Sequence, residues 1–151
     1  MYSIIVFSGG YYRFDEFREY IEDIGGLVIR RDSLTIRRGI FFLRNELRAL
    51  CVVPEDEVEN VTREASRIKG EIEIPVVAAD AGERILSCFR IHHMLAGSDW
   101  KSADEIENLT GIPADGILDT MVEMELLERR HEGEYEYRIP VTEDWDRLKG
   151  G

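Results

Sequence analysis

The sequence predicts an α+β protein with two small domains. Its 151 residues and its hydrophobic fraction of 44% suffice for a real core, because a chain of this mass buries about two thirds of its unfolded surface. Up to residue 77, short apolar runs alternate with helical repeats, whereas after residue 82 helical repeats come first and a hairpin pattern follows. We therefore expect domains at 1–77 and 82–140 and a polar C-terminal tail at 141–151.

The first strand and the first helix are marked by an apolar run and by the helical repeat that follows it. Ile4–Phe7 is short and apolar, which is typical of a buried strand. Phe14, Phe17 and Ile21 then recur at helical spacing. Gly25 follows this repeat and predicts the end of the helix.

Further strands and a second helix complete the N-terminal pattern. Apolar stretches over residues 27–53 predict either two long strands or two hairpins. A helix is expected after Pro54, where an acidic run begins, and it should end at Gly70. Glu71–Val76 alternates polar and apolar residues and predicts a last strand, which Pro75 assigns to a sheet edge.

The resulting order of elements over residues 1–77 is strand, helix, strand, strand, helix, strand. This order resembles the ferredoxin-like arrangement. ACT-type ligand-sensing domains are similar to it, so the resemblance implies a domain that dimerises, senses a ligand or docks on another protein.

The second half of the chain begins with a small polar stretch, residues 78–84, that predicts a linker. Ser102 precedes Glu105 by three positions, which is the spacing of a capping box at the start of a helix. Gly111 should end that helix, and Pro113 suits the first turn of the next one.

A third helix, which precedes these two, is predicted by an apolar face at helical spacing made of Ile85, Cys88, Phe89, His92 and Leu95. Three helices followed by a hairpin turn at Gly133 resemble a winged helix. The stretch Leu118–Arg130 is similar to the end of a recognition helix that runs into the first strand of the wing. At Glu125 the chain departs from the family pattern, where a glycine is common. The resemblance implies a module that binds DNA or another protein.

Charge favours protein over DNA as the partner of this module. The whole chain has 19 basic and 31 acidic residues, a net charge of −12, which opposes non-specific binding to nucleic acids and membranes. Carboxylates on a recognition helix would face the phosphates of DNA. The expected interaction face of the winged helix consists of Asp115, Asp119, Glu123, Arg129, Arg130 and Arg138. A DNA-binding transcriptional regulator is the alternative.

Basic residues concentrate instead in the predicted strand region of the N-terminal domain. Arginine forks suit carboxylates and phosphates, so this region predicts a site for an anion or an acidic partner. The alternative is that these charges prevent edge-to-edge pairing of sheets. The residues concerned are Arg30, Arg31, Arg37, Arg38, Arg44 and Arg48.

No catalytic signature emerges from the remaining residues. Cys88 and His92 stand four positions apart, which provides only two ligands, so neither a metal nor a cofactor is predicted. Cys51 and Cys88 are expected to be reduced thiols of a cytoplasmic protein. The sequence thus predicts a non-catalytic regulatory or assembly adaptor that binds a protein partner or forms a homodimer and does not bind membranes. The weakest alternative is an enzyme that holds a phosphorylated substrate on the arginines.

Overall fold

The computed structural model describes residues 1–38, 42–114 and 116–141, and it describes only the backbone at 33–38 and 42–45. The chain is a mixed α/β protein with antiparallel sheets. It forms two compact units, Met1–Leu86 and Ser87–Gly151.

The N-terminal unit contains a four-stranded sheet with two helices on one of its faces. The strands lie in the order β2-β3-β1-β4, and each neighbouring pair is antiparallel. Residues 27–38 and 42–54 therefore form two long strands, which settles the choice that the sequence left open. The elements are β1 (Tyr2–Gly9), α1 (Phe14–Asp23), β2 (Leu27–Arg38), β3 (Phe42–Pro54), a 3-10 turn (Glu55–Glu57), α2 (Val58–Arg67) and β4 (Glu71–Glu73).

The core of this unit lies between the sheet and the two helices. Its centre is an aromatic cluster in which the Phe7 ring lies 5.4 Å from the Phe14 ring and 4.7 Å from the Phe17 ring, measured between centroids. Alternate residues of β1 and β3 meet the apolar stripes of α1 and α2, as the sequence periodicity predicts. The other core members include Ile5, Ile21, Leu47, Ala49, Cys51, Val53, Val61, Ala65 and Ile68.

Two sequence expectations in this region are wrong. The last strand ends at Glu73 rather than Val76, and Pro75, which has no N–H group to donate, lies just beyond it. The segment predicted as a linker, residues 78–84, is helical from Ala79, because α3 spans Ala79–Leu95. The domain boundaries predicted from the sequence stay predictions.

The C-terminal unit combines short helices with a three-stranded antiparallel sheet of order β5-β7-β6. The capping box is confirmed: the Glu105 amide donates to Ser102 Oγ (3.2 Å), and the Ser102 amide donates to Glu105 Oε1 (3.3 Å). The helix expected from Pro113 begins only at Ile117. The elements after α3 are β5 (Lys101–Ser102), α4 (Ala103–Thr110), α5 (Ile117–Glu123), β6 (Glu128–Glu132) and β7 (Glu134–Arg138).

The junction between α5 and β6 explains the unusual residue at position 125. Glu125 has a left-handed backbone with φ of 62°. Its amide donates to the Val122 carbonyl (3.0 Å), and the Leu126 amide donates to the Met121 carbonyl (2.9 Å). This is the Schellman pattern, whose left-handed position glycine usually occupies.

Glu125→Gly is therefore expected to raise the free energy of unfolding by about 1 kcal/mol, since glycine adopts this backbone without the Cβ clash. Urea unfolding of the two proteins would measure the change. Glu123→Gly, at the last residue of α5, is the matched control and should lower stability by at most about 1 kcal/mol. Equal destabilisation by both substitutions would contradict the assignment of backbone strain to Glu125.

Candidate functional site

The sheet face opposite α1 and α2 carries the most distinctive charge pattern of the N-terminal unit. The strand register aligns residues of the four strands side by side, so that each row across this face contains one residue from each strand. One row contains Asp32, Arg48, Ser8 and Glu71, and the next contains Arg30, Leu50, Val6 and Glu73. We call these two rows the charged rows.

The charged rows depend on a bulge in β2. The register with β3 shifts between Val28 and Arg30, so that Arg30 rather than Ile29 lies opposite Leu50. An extra residue in one strand reverses the side-chain alternation that follows it. The bulge therefore places Arg30 in the row next to that of Arg48, on the face that the two helices leave uncovered, while Ile29 is buried.

The arginines in this region have different environments. Arg30 Nε lies 3.3 Å from Asp32 Oδ1, and the two side chains are 63% and 56% exposed. A pair this exposed contributes at most about 1 kcal/mol, so the Arg30 guanidinium stays available to another anion. Arg48 is also exposed, opposite Asp32 in the register. Arg31 lies opposite Ala49 and belongs to the other face.

Three further arginines of the predicted site lie on the same two strands. The backbone register sets Arg37 opposite Leu43, Arg38 opposite Phe42 and Arg44 opposite Ile36. The side chains of Arg37, Arg38 and Arg44 lie outside the described residues.

The arginines predicted to act in the C-terminal hairpin are already paired with carboxylates. Arg129 Nη1 lies 2.8 Å from Asp119 Oδ1, and Arg130 Nη2 lies 2.8 Å from Glu136 Oε1. Arg138 pairs with Glu128 and also lies 3.7 Å from Asp99. Of the remaining predicted residues, Glu123 is exposed on α5 and Asp115 lies outside the described residues.

An aromatic residue that the sequence analysis did not single out holds this hairpin. The guanidinium carbons of Arg130 and Arg138 lie 4.6 and 4.3 Å from the ring centroid of Trp100. Trp100 precedes β5, whose Lys101 pairs with Tyr137 of β7. That pairing connects residues far apart in sequence, so no local pattern could have indicated it.

We expect no salt-sensitive binding of random duplex DNA by this protein. Releasing Arg129, Arg130 and Arg138 for phosphates would break the ion pairs that they form within the unit. Fluorescence anisotropy of labelled DNA at about 50 and about 200 mM salt would test this, because phosphate contacts make affinity fall steeply with salt. Binding at the lower salt concentration that disappears at the higher one would revive the DNA-binding alternative.

Cys51, Cys88 and His92 do not form a reactive site. Burial raises the pKa of Cys51 to about 12 and also raises the pKa of Cys88. Burial and the neighbouring His93 lower the pKa of His92. Within the three described ranges, no cluster of three or more His, Cys, Asp and Glu side chains could hold a metal ion.

No helix in the described part of the chain has the length and apolar character needed to cross a membrane.

Comparison with known proteins relates mainly to the first unit. A family model described as methyl-coenzyme M reductase operon protein C matches residues 2–95. An uncharacterized protein of Methanocaldococcus jannaschii is 33% identical over 95 residues, which cover 62% of this chain and 27% of the relative. The chain thus spans about a quarter of the length of this curated relative. No solved structure gives a significant match.

Proposed function

The chain belongs to the family of methyl-coenzyme M reductase operon protein C, and from this premise we propose that it is a non-catalytic accessory or assembly protein. Its proposed partner is methyl-coenzyme M reductase, the enzyme named in the family description. The observation that carries the proposal is the extent of the match, residues 2–95, which includes the whole four-stranded sheet and α3. What this chain has in common with its family therefore resides in the sheet and the helices around it.

The charged rows support protein binding as the mode of action. They present the exposed Arg30 and Arg48 on the sheet face that α1 and α2 do not cover. Arginine is well suited to such a surface, because its planar fork binds carboxylates with two parallel hydrogen bonds. The proposed partner surface is accordingly acidic.

A non-catalytic role is supported by the chemistry of the nucleophilic groups. The reactive form of cysteine is the thiolate, and burial with a raised pKa disfavours this form at Cys51 and Cys88. Within the described residues, the Cys88 and His92 pair is not joined by the further ligands that a metal centre would need.

We also propose a specific fold for each of the two units. The antiparallel order β2-β3-β1-β4, with α1 and α2 as connections, supports a ferredoxin-like N-terminal domain. The succession of α4, α5, β6 and β7 supports a winged helix in the C-terminal unit, in which the carboxylate-paired arginines favour a protein ligand.

A binding measurement with charge-reversed variants tests this function. The full chain would be immobilised and purified methyl-coenzyme M reductase passed over it, with biolayer interferometry as the readout. We expect Arg30→Glu/Arg48→Glu to weaken binding by roughly tenfold or more, since two contacts become repulsive.

The matched control reverses two exposed arginines on the helices, Arg18→Glu and Arg63→Glu. It makes the same change in net charge and should leave the affinity within about twofold. Circular dichroism of both variants would establish that they fold. Absence of binding by the unaltered chain would refute the proposed function, and equal weakening by both variants would refute the assigned surface.

A further inference from the structure

The two edges of the four-stranded sheet differ in length. β4, at one edge, spans three residues and is followed by Pro75, which cannot donate a backbone hydrogen bond. β2, at the other edge, spans twelve residues and pairs only with β3 among the described residues. An edge strand of this length presents a row of backbone donors and acceptors to any extended segment.

The accessible part of the β2 edge begins at Arg30. Leu27, Val28 and Ile29 are buried, whereas Arg30 and Arg31 are exposed. The strand continues to Arg38, so nine residues offer an edge of about 30 Å at the usual rise of a strand. A strand of five to six residues, the common length in proteins, fits within this span.

The two edges of the sheet differ in charge as well as in length. The exposed residues of β4 are Glu71 and Glu73, whereas β2 contributes Arg30 and Arg31 against Asp32. Two copies of β2 paired antiparallel over the full stretch 30–38 would set Arg30 opposite Arg38 and Arg31 opposite Arg37. Like charges directly opposite each other destabilise a sheet. The favoured occupant of the β2 edge is therefore an extended acidic segment of a different protein.

We propose that β2 accepts a fifth strand, contributed by an acidic extended segment of the partner, along Arg30–Arg38. This inference rests on the proposed function and specifies how the partner binds. Backbone hydrogen bonds to β2 supply affinity, and Arg30 and Arg31 select carboxylates on the two faces of the added strand. The arginines thereby both prevent self-pairing and recognise the partner.

Hydrogen–deuterium exchange of the full chain, alone and with purified methyl-coenzyme M reductase, tests the proposal. Outward-facing amides within residues 30–38 should exchange at least about tenfold more slowly in the complex, because strand addition engages them in hydrogen bonds. Amides of β4 should be unchanged. Complex formation without slower exchange in 30–38 would overturn the strand addition and leave the proposed function standing. No complex at all would overturn both.

A charge-reversed pair on β2 and a matched pair on the helices supply the second readout. Arg30→Glu/Arg31→Glu should weaken binding by roughly tenfold or more, whereas the helix control Arg18→Glu/Arg63→Glu, which makes the same change in net charge, should leave the affinity within about twofold. Equal weakening by the two variants, or no weakening by Arg30→Glu/Arg31→Glu, would overturn the proposal, because either result would remove the β2 edge as the site of contact.

Discussion

Gly70→Ala is expected to lower the free energy of unfolding by about 3 kcal/mol, the upper range for overpacking a core. A Cβ at this position would lie 2.6 Å from Cζ of Phe7 and closer still to Cε2. The Phe7 ring cannot yield easily, since it is fully buried between Phe14 and Phe17. Urea unfolding followed by circular dichroism would measure the loss.

Two further variants make this result specific to the Phe7 contact. In Gly10→Ala the new Cβ would lie 4.0 Å from the Tyr12 amide nitrogen, an ordinary contact, so its stability should change by less than about 1 kcal/mol. The shorter side chain of Phe7→Leu should relieve part of the Gly70→Ala cost in the double variant. Strict additivity of the two substitutions would show that they do not share the cost of this contact.

Trp100→Ala is expected to destabilise the C-terminal unit by about 2 kcal/mol, less than the cost of truncating a fully buried aromatic side chain, because the ring is half-buried. The substitution removes the ring on which Arg130 and Arg138 stack, at 4.6 and 4.3 Å from its centroid. Cation–π contacts of this kind contribute about 0.5–2 kcal/mol each, depending on how far they are desolvated.

Trp100→Phe is the control, because it keeps an aromatic face with a weaker attraction for cations. It should cost less than half of the alanine variant. Backbone exchange rates of β6 and β7 would localise the effect to the hairpin. Equal losses for both substitutions, or a loss confined to β1–β4, would contradict the assigned role of Trp100.

Local signals predicted the elements whose stability arises within a few residues. The spacing of Phe14, Phe17 and Ile21 predicted α1, and the Ser102–Glu105 pair predicted the start of α4. Gly133 predicted the turn of the hairpin, and its φ in the structure is 79°. These predictions are confirmed because caps and amphipathic faces depend on neighbours in sequence.

Elements that depend on distant partners were harder to predict. β5 consists of two residues and exists only through its pairing with β7. The start of α3 at Ala79 falls in a stretch whose small and polar residues are equally typical of a linker. Propensity alone could not decide either case, since tertiary pairing determines the outcome.

For the candidate site, too, the sequence reveals which residues are present but not how they are arranged. The cluster of arginines is visible in the sequence, but which of them share a face is not. That depends on the bulge after Val28, since a one-residue shift exchanges the two faces of a strand. Without it, Arg30 would point with Ala49 toward the helices, and the charged rows would not exist in their present form.

One of the charged rows also gives the sheet face a direction within its own plane. In the row Arg30–Leu50–Val6–Glu73, positive charge stands on β2 and negative charge on β4, about 14 Å apart across three strand spacings. A body whose own charges are unevenly distributed experiences a torque when it approaches this face. Turning it by half a revolution would set like charges against each other. For the proposed partner, we therefore expect this row to favour one rotational orientation before close contact forms.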